Sequence, residues 1–172
     1  MHDAARATPW TGARSGCKQT LYRDLAIEID ALLTGESDTV ANAANVAAAL
    51  YHGLDQLNWA GFYFLRNDTL VLGPFQGRPA CVRIPLGAGV CGTAAATRRS
   101  VLVPDVETFP GHIACDTASR SELVVPLLHG ERLLGVLDLD SPVVGRFDAD
   151  DQAGCEAIAA IAVRHMVPSM LS

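Results

Sequence analysis

The feature that most constrains the fold is a change of hydrophobic period along the chain. From Leu21 to Leu32, and again over 40–50, apolar residues follow the 3.6-residue spacing of a helix. Between 59 and 140 they fall in short runs typical of strands, and helical spacing returns after Asp148. Two helices, about six short strands in hairpin order and a final helix predict an α+β fold, with a central antiparallel sheet and helices packed on it.

Size and composition predict one folded domain. The chain has 172 residues, of which 49% are hydrophobic and 19% are charged, so it can bury a core without metal or disulfide support. The first 17 residues show no period and predict a flexible N-terminal tail before a domain over 18–172. A net charge of −6 opposes binding to a nucleic-acid backbone.

The cellular compartment is predicted from two features that are absent from the sequence, a membrane-spanning segment and a secretory signal. No segment reaches the ~18 apolar residues of a membrane helix, and the acidic start has no secretory pattern. We therefore expect no membrane association and a cytoplasmic protein whose thiols stay reduced.

Two long segments rich in Gly or Pro are predicted as loops. The first covers 73–92, apart from a short strand near 82–86, and the second covers 104–118. Long loops inside a compact domain are usually functional. They hold three of the five cysteines: Cys81, Cys91 and Cys115.

The cysteines leave several interpretations open. No CxxC pair exists, so zinc-ribbon and thioredoxin motifs are absent. One interpretation is a zinc site assembled from distant loops. The other is that each cysteine is a small, buried apolar residue, and this fits Cys17 and Cys155 best. Cys115 precedes a predicted turn or helix start, where a lowered thiol pKa makes a nucleophile. His112 is either a base for Cys115 or a structural residue.

Carboxylates end the strand that runs from Arg132 to Asp140. Strand alternation places Leu134, Val136, Asp138 and Asp140 on one face. The functional interpretation is a pocket for a ligand ammonium, in which two close acids raise one pKa and create a proton donor. The alternative is a solvated strand end.

Register decides whether Glu122, at the start of the partner strand, joins this face. A three-residue turn at 129–131 pairs Glu122 with Asp138 on the same face, whereas a two-residue turn sends Glu122 to the other side. On the first strand, Trp59 and Tyr63 share a face opposite the Phe62 and Phe64 face. Their polar groups suit a ligand pocket better than a dry core.

These residues resemble the free methionine-(R)-sulfoxide reductases, a family with the GAF-domain fold. The resemblance covers roughly residues 20–165, and it implies a single GAF-like catalytic domain. The segments that carry it are Asn58-Trp59-Ala60-Gly61-Phe62-Tyr63, 73–77, 80–85, Gly89-Val90-Cys91-Gly92-Thr93-Ala94, Gly111-His112-Ile113-Ala114-Cys115-Asp116, Ser121-Glu122 and Leu137-Asp138-Leu139-Asp140-Ser141.

The resemblance implies a role for each matching residue. The catalytic cysteine falls on Cys115, the resolving cysteine on Cys81, and Cys91 is the third redox cysteine. The substrate-pocket residues fall on Trp59, Tyr63, Glu122, Asp138 and Asp140.

The implied activity is thiol-dependent reduction of free methionine-(R)-sulfoxide, with no cofactor and no metal. A thiolate attacks the sulfoxide, Glu122 or an aspartate supplies a proton, and the resulting sulfenic acid condenses to a disulfide that thioredoxin reduces. The resemblance also implies a homodimer. The alternatives are a GAF sensory module that binds a small molecule, a thiol redox sensor without turnover, and a structural zinc protein.

Overall fold

The computed structural model describes residues 16–113 and 117–170. Most of the predicted tail, with Trp10, and the predicted nucleophile Cys115 therefore lie outside the described residues. The helices are α1 (Lys18–Leu33), α2 (Thr39–Gly53), α3 (Gly89–Thr97) and α4 (Ala149–Met170), with a short 3-10 turn at Val106–Thr108. The strands are β1 (Trp59–Arg66), β2 (Thr69–Gly77), β3 (Arg83–Pro85), β4 (Val101–Val103), β5 (Ser121–His129) and β6 (Arg132–Ser141).

Within the described residues, the six strands form one antiparallel sheet in the order β3-β2-β1-β6-β5-β4. Helices α1, α2 and α4 pack on one face of the sheet, around the larger hydrophobic cluster. Helix α3 covers the other face, around a smaller cluster. The predicted α+β fold with an antiparallel sheet is confirmed. None of the helices in 16–113 and 117–170 has the length and apolarity needed to cross a bilayer.

The helical layer is fixed where α4 begins. Asp148 caps α4, because its Oδ1 accepts hydrogen bonds from the backbone N–H groups of Asp150 (2.9 Å) and Asp151 (3.1 Å). The fully buried Asp151 carboxylate accepts from the Tyr22 hydroxyl of α1 (2.9 Å) and from Arg146 Nη1 (3.0 Å). Lys18 completes the set. These bonds satisfy a buried charge and set α1 against α4.

Asn67-Asp68, which separates two apolar runs in the sequence and thereby predicts a hairpin turn, forms the turn of the first hairpin. Asn67 and Asp68 have φ of 47° and 60°, the left-handed conformation that a two-residue hairpin turn requires. Strand β2 continues to Gly77, which pairs with Trp59. The predicted loop from residue 73 is therefore wrong for 73–77, because pairing with β1 outweighs the local preference of Gly and Pro.

The second hairpin has a different register from the predicted one. A two-residue turn pairs His129 with Arg132, and a β-bulge follows between Leu127 and Leu128, so Glu122 pairs with Asp140 rather than with Asp138. The two-residue turn alone would place Glu122 on the opposite face of the sheet. The bulge inserts one extra residue into the pairing, so Glu122 returns to the face that carries Asp138 and Asp140.

Because of the same bulge, the predicted face of Leu134 is wrong. Leu134 packs in the helix-side cluster with Leu137 and Leu139, not on the face of Val136. Gly135 follows the bulge, and a Cβ there would lie 2.1 Å from the Tyr63 backbone oxygen. The bulged strand therefore needs a residue without a side chain where β6 approaches β1.

The α1–α4 contact predicts a destabilising substitution. A Cβ on Gly154 of α4 would lie 2.1 Å from Cγ of Tyr22, so Gly154→Ala must push α1 away from α4. We expect a loss of about 1–3 kcal/mol in the free energy of unfolding, measured by urea denaturation. The matched control is Gly16→Ala, whose added methyl has no neighbour closer than 3.8 Å. Equal stability of the two variants would contradict the described packing.

Candidate active site

Three carboxylates meet where β5 begins and β6 ends. Glu122 and Asp140 are directly paired across the two strands, and Asp138 lies two residues back on β6. Glu122 and Asp138 are each only 6% exposed. The structure thus brings together the three predicted acidic residues on one face, away from the helical layer.

Cys91 reaches this cluster from the opposite side. Helix α3 starts at Gly89, inside the segment 73–92 that the sequence predicts as a loop, so that prediction is wrong for 89–92 and Cys91 lies in the first turn of a helix. The Cys91 thiol donates a hydrogen bond to Oδ2 of Asp138 over 3.2 Å. Oδ1 of Asp138 is buried and has no hydrogen-bond partner among the described residues.

Burial raises the pKa of Glu122, Asp138 and Cys91. It raises the pKa of Glu122 to about 7, with His112 opposing the shift and the Asp140 charge adding to it. Burial and then the Glu122 charge hold the pKa of Asp138 well above its ordinary value, against the hydrogen bond from Cys91. Burial and the Asp138 charge also raise the pKa of the Cys91 thiol, so Cys91 is a hydrogen-bond donor rather than a thiolate here.

Residues of the loop predicted over 104–118, together with Ser119 just after it, form one side of the site. Among the described residues on this side, the sequence indicated only His112. His112 Nε2 lies 3.4 Å from Oε2 of Glu122, so its contact in the described residues is with a carboxylate. Ser119 is almost fully buried and accepts a hydrogen bond from the Asn58 side-chain amide (3.0 Å). Ile84 and Val90 lie in segments that carry the family resemblance, but no site role was predicted for them or for Ser119, because distant pairing brings them here.

These groups enclose a small cavity. It is lined by Cys91, His112, Glu122, Asp138 and Asp140, together with Ser119 and apolar residues. A water-sized sphere can occupy ≈ 20 Å³ of it, which is the room of about one water molecule. Its carboxylate lining suits a small cationic group.

Trp59 and Tyr63 do not line this cavity. They are 2% and 1% exposed and stack at a centroid distance of 5.9 Å in the smaller cluster. Trp59 Nε1 donates to the Arg78 carbonyl (3.1 Å), and the Tyr63 hydroxyl donates to the Cys81 carbonyl (3.1 Å). Their polar groups therefore hold the segment that carries Cys81 against the sheet.

The remaining cysteines differ in state. Cys81 is disulfide-bonded, and Cys17, Cys91 and Cys155 are free. Cys155 is fully buried in the helical layer, as the sequence suggests. Cys17 is exposed before α1, so its prediction as a buried apolar residue is wrong. Cys115 lies outside the described residues, and its predicted catalytic role stays a prediction.

Comparison with known proteins decides the family. A family model described as GAF domain matches residues 35–166. The free methionine-R-sulfoxide reductase of Escherichia coli is 52% identical over 143 residues, which cover 83% of this chain and 87% of that protein. The chain belongs to the free methionine-R-sulfoxide reductase family of GAF domains.

Solved structures agree with this membership. A free methionine-R-sulfoxide reductase from Neisseria meningitidis, solved with its substrate, is 43% identical, with a TM-score of 0.88 over 92% of this chain and 95% of that one. A putative GAF sensor protein from Burkholderia vietnamiensis is 54% identical, with a TM-score of 0.87 over 91% of this chain and 100% of that one.

Burial of Glu122 predicts a pH-dependent stability. Its folded pKa of about 7 lies above the ordinary value of 4.5, so between these values the folded protein binds more protons and its stability falls as pH rises. We expect Glu122→Gln to gain up to about 3 kcal/mol of unfolding free energy over wild type between pH 4.5 and pH 7. The neighbouring Asp138, Asp140 and His112 stay in both proteins.

Urea unfolding of wild type and variant across this pH range measures the difference. Glu131→Gln, at an exposed turn position, is the control and should follow wild type at every pH. If the curves of Glu122→Gln and wild type stay parallel from pH 4.5 to 8, Glu122 is not held protonated by its burial.

Proposed function

We propose that this protein reduces free methionine-(R)-sulfoxide to methionine with cysteine thiols. The observation that carries the proposal is the buried carboxyl cluster around Asp138, with one partnerless oxygen beside a Glu122 of raised pKa. This cluster offers a site for an ammonium group and a proton donor in the same cavity. The Escherichia coli relative, a free methionine-R-sulfoxide reductase, supports the same reaction.

The carboxylates select a free amino acid. In the proposal, Asp138, Asp140 and Glu122 surround the substrate ammonium, and the partnerless Oδ1 of Asp138 accepts one of its protons. A peptide-bound or N-blocked methionine sulfoxide leaves these buried groups unpaired. Mismatches of this kind cost roughly 10⁴–10⁵ in discrimination.

Glu122 is the proposed proton donor. A carboxyl group with a pKa of about 7 is substantially protonated near neutral pH, whereas an ordinary glutamate is not. Departure of the sulfoxide oxygen requires protonation, so a protonated carboxyl group in the cavity lowers the barrier to this step. His112, 3.4 Å from Glu122, is placed to return the proton.

The thiol chemistry balances over three steps. Cys115 attacks the sulfoxide sulfur, and the products are methionine and a Cys115 sulfenic acid, so substrate sulfur gains the two electrons that cysteine sulfur loses. The Cys81 thiol then condenses with the sulfenic acid, releasing water and forming a disulfide. Thioredoxin reduces that disulfide by thiol exchange. The disulfide-bonded state of Cys81 supports its part in the oxidised end of this cycle.

The aromatic residues have a supporting place in the proposal. Trp59 and Tyr63 lie outside the described cavity, so they contact the substrate's thioether side only after the cavity opens. They also hold the Cys81 segment through its backbone. The cavity is smaller than an amino acid, so binding requires its walls to separate. The proposal further includes a homodimer and a cytoplasmic location, where thioredoxin is available.

Turnover tests the function directly. With thioredoxin, its reductase and NADPH, we expect oxidation of NADPH with free methionine-(R)-sulfoxide, and none with the S epimer or an N-blocked analogue. Cys115→Ser removes the nucleophile and should abolish turnover, whereas Cys17→Ser, at an exposed position, should not change it. Folded, reduced protein that turns over none of these sulfoxides, yet binds one tightly, would favour the sensory module instead.

The role of Cys91 is separable from the redox cycle. We propose that Cys91 positions Asp138 through its hydrogen bond, so Cys91→Ser, which keeps a donor, should retain most activity. Cys91→Ala should lower kcat/KM about 10- to 100-fold, the value of a hydrogen bond to a charged group. Steady-state kinetics distinguish this from a redox role, because equal loss in both variants requires the sulfur itself.

A further inference from the structure

A second ligand chemistry is present in the cavity. Cys91 Sγ and carboxylate oxygens of Glu122 and Asp138 all lie within 4.8 Å of one another. The three residues come from α3, β5 and β6, and each is buried. Two carboxylates alone would not indicate a metal site, but here a thiol lies beside them. The buried Oδ1 of Asp138 has no hydrogen-bond partner among the described residues, so it is available as a metal-ligating oxygen.

The spacing suits a tetrahedral ion. Zn–S bonds of about 2.3 Å and Zn–O bonds of about 2.1 Å place tetrahedral ligand atoms roughly 3.4–3.6 Å apart. The Cys91 and Asp138 atoms are already 3.2 Å apart, and His112 Nε2 lies 3.4 Å from Glu122 Oε2. A contraction of roughly 1.3 Å across the widest pair brings the three atoms to tetrahedral spacing. His112 lies outside this three-residue group, so it becomes the fourth ligand by moving toward Cys91 and Asp138.

The donor types select the metal. One sulfur, one imidazole nitrogen and carboxylate oxygens suit Zn²⁺ and Co²⁺, whereas Mg²⁺ and Ca²⁺ require six or more oxygen ligands. The cavity also has the room of about one water molecule, which suits a dehydrated ion. Two carboxylates and a thiolate would more than neutralise a divalent charge.

We propose that Cys91, Glu122 and Asp138 bind a zinc-class divalent cation, with His112 as the fourth ligand. Binding displaces the proton that the Cys91 thiol donates to Asp138 and places the metal where both carboxylates point. This site differs from a structural zinc site, because its ligands also line the cavity. Its consequence rests on the proposed function: the metal would occupy the ammonium site and exclude substrate.

Cobalt provides a direct spectroscopic test. The protein is used with its Cys81 disulfide intact, so that Cys81 cannot bind metal, and is titrated with Co²⁺. We expect tetrahedral Co²⁺ visible bands, a near-ultraviolet thiolate charge-transfer band, one ion per chain, and displacement by Zn²⁺. Cys91→Ser should lose the charge-transfer band and weaken Zn²⁺ binding by more than the roughly 10–100-fold that loss of an outer-shell partner costs.

Two further variants keep the test decisive. Cys155→Ser removes an equally buried thiol in the helical layer and should keep the full spectrum. Asp138→Asn keeps the Cys91 sulfur, so it should retain the charge-transfer band while weakening Zn²⁺ binding at least tenfold. Thermal unfolding of each variant confirms that it is folded.

The outcomes separate the two proposals. Absence of the charge-transfer band in wild type, its persistence in Cys91→Ser, or unchanged Zn²⁺ affinity in Asp138→Asn would each overturn the metal site. None of these measurements needs turnover, so they fail or succeed independently of the reductase activity. Where turnover is found, inhibition by Zn²⁺ competitive with free methionine-(R)-sulfoxide is the expected kinetic result.

Discussion

Strand β6 places apolar side chains against the helical layer on one face and carboxylates toward a cavity on the other. The β-bulge near the start of the strand sets which residues lie on which face. On one face Leu137 and Leu139 join the helical layer, and on the other Asp138 and Asp140 face a cavity. Since side chains alternate along a strand, a shift of one residue in register would put carboxylates into the apolar core. The bulge between Leu127 and Leu128 sets this phase, and it also decides that Glu122 meets the aspartates.

The carboxyl cluster opposes folding. Buried acids keep their protons at a pH where exposed acids have lost them, as the raised pKa values of Glu122 and Asp138 indicate. Asp151 is a buried charge whose bonds are satisfied, because Tyr22, Arg146 and Lys18 all donate to its carboxylate. In contrast, Asp138 keeps a partnerless oxygen. The fold therefore leaves one polar group unpaired at the cavity and satisfies another that only joins helices. This difference is typical of binding sites.

Much of the fold follows from local sequence. Helix spacing, the Asp148 cap and the Asn67-Asp68 turn give α1, α2, α4 and the first hairpin, because each depends on residues close in sequence. Elements set by distant pairing were predicted less well. The end of β2, the early start of α3 and the β5–β6 register depend on contacts that no short motif records.

The candidate site shows the same division between local and distant information. Alternation along β6 identified Asp138 and Asp140, and turn length left the face of Glu122 open. The family resemblance then assigned Glu122 to the pocket and Cys91 to the redox cysteines. The resemblance also placed Trp59 and Tyr63 in the pocket, but the described cavity is not lined by them. Ser119 and the His112–Glu122 contact required the three-dimensional structure, since loop residues 104–118 carry no period that fixes where they lie.

The anchoring of the Cys81 segment has a consequence for how this region can change in evolution. Trp59 and Tyr63 bind the carbonyl oxygens of Arg78 and Cys81, and every amino acid supplies a carbonyl. These two hydrogen bonds are thus independent of which side chains the segment bears. A descendant of this chain that exchanges Cys81 would lose its disulfide and keep both backbone anchors.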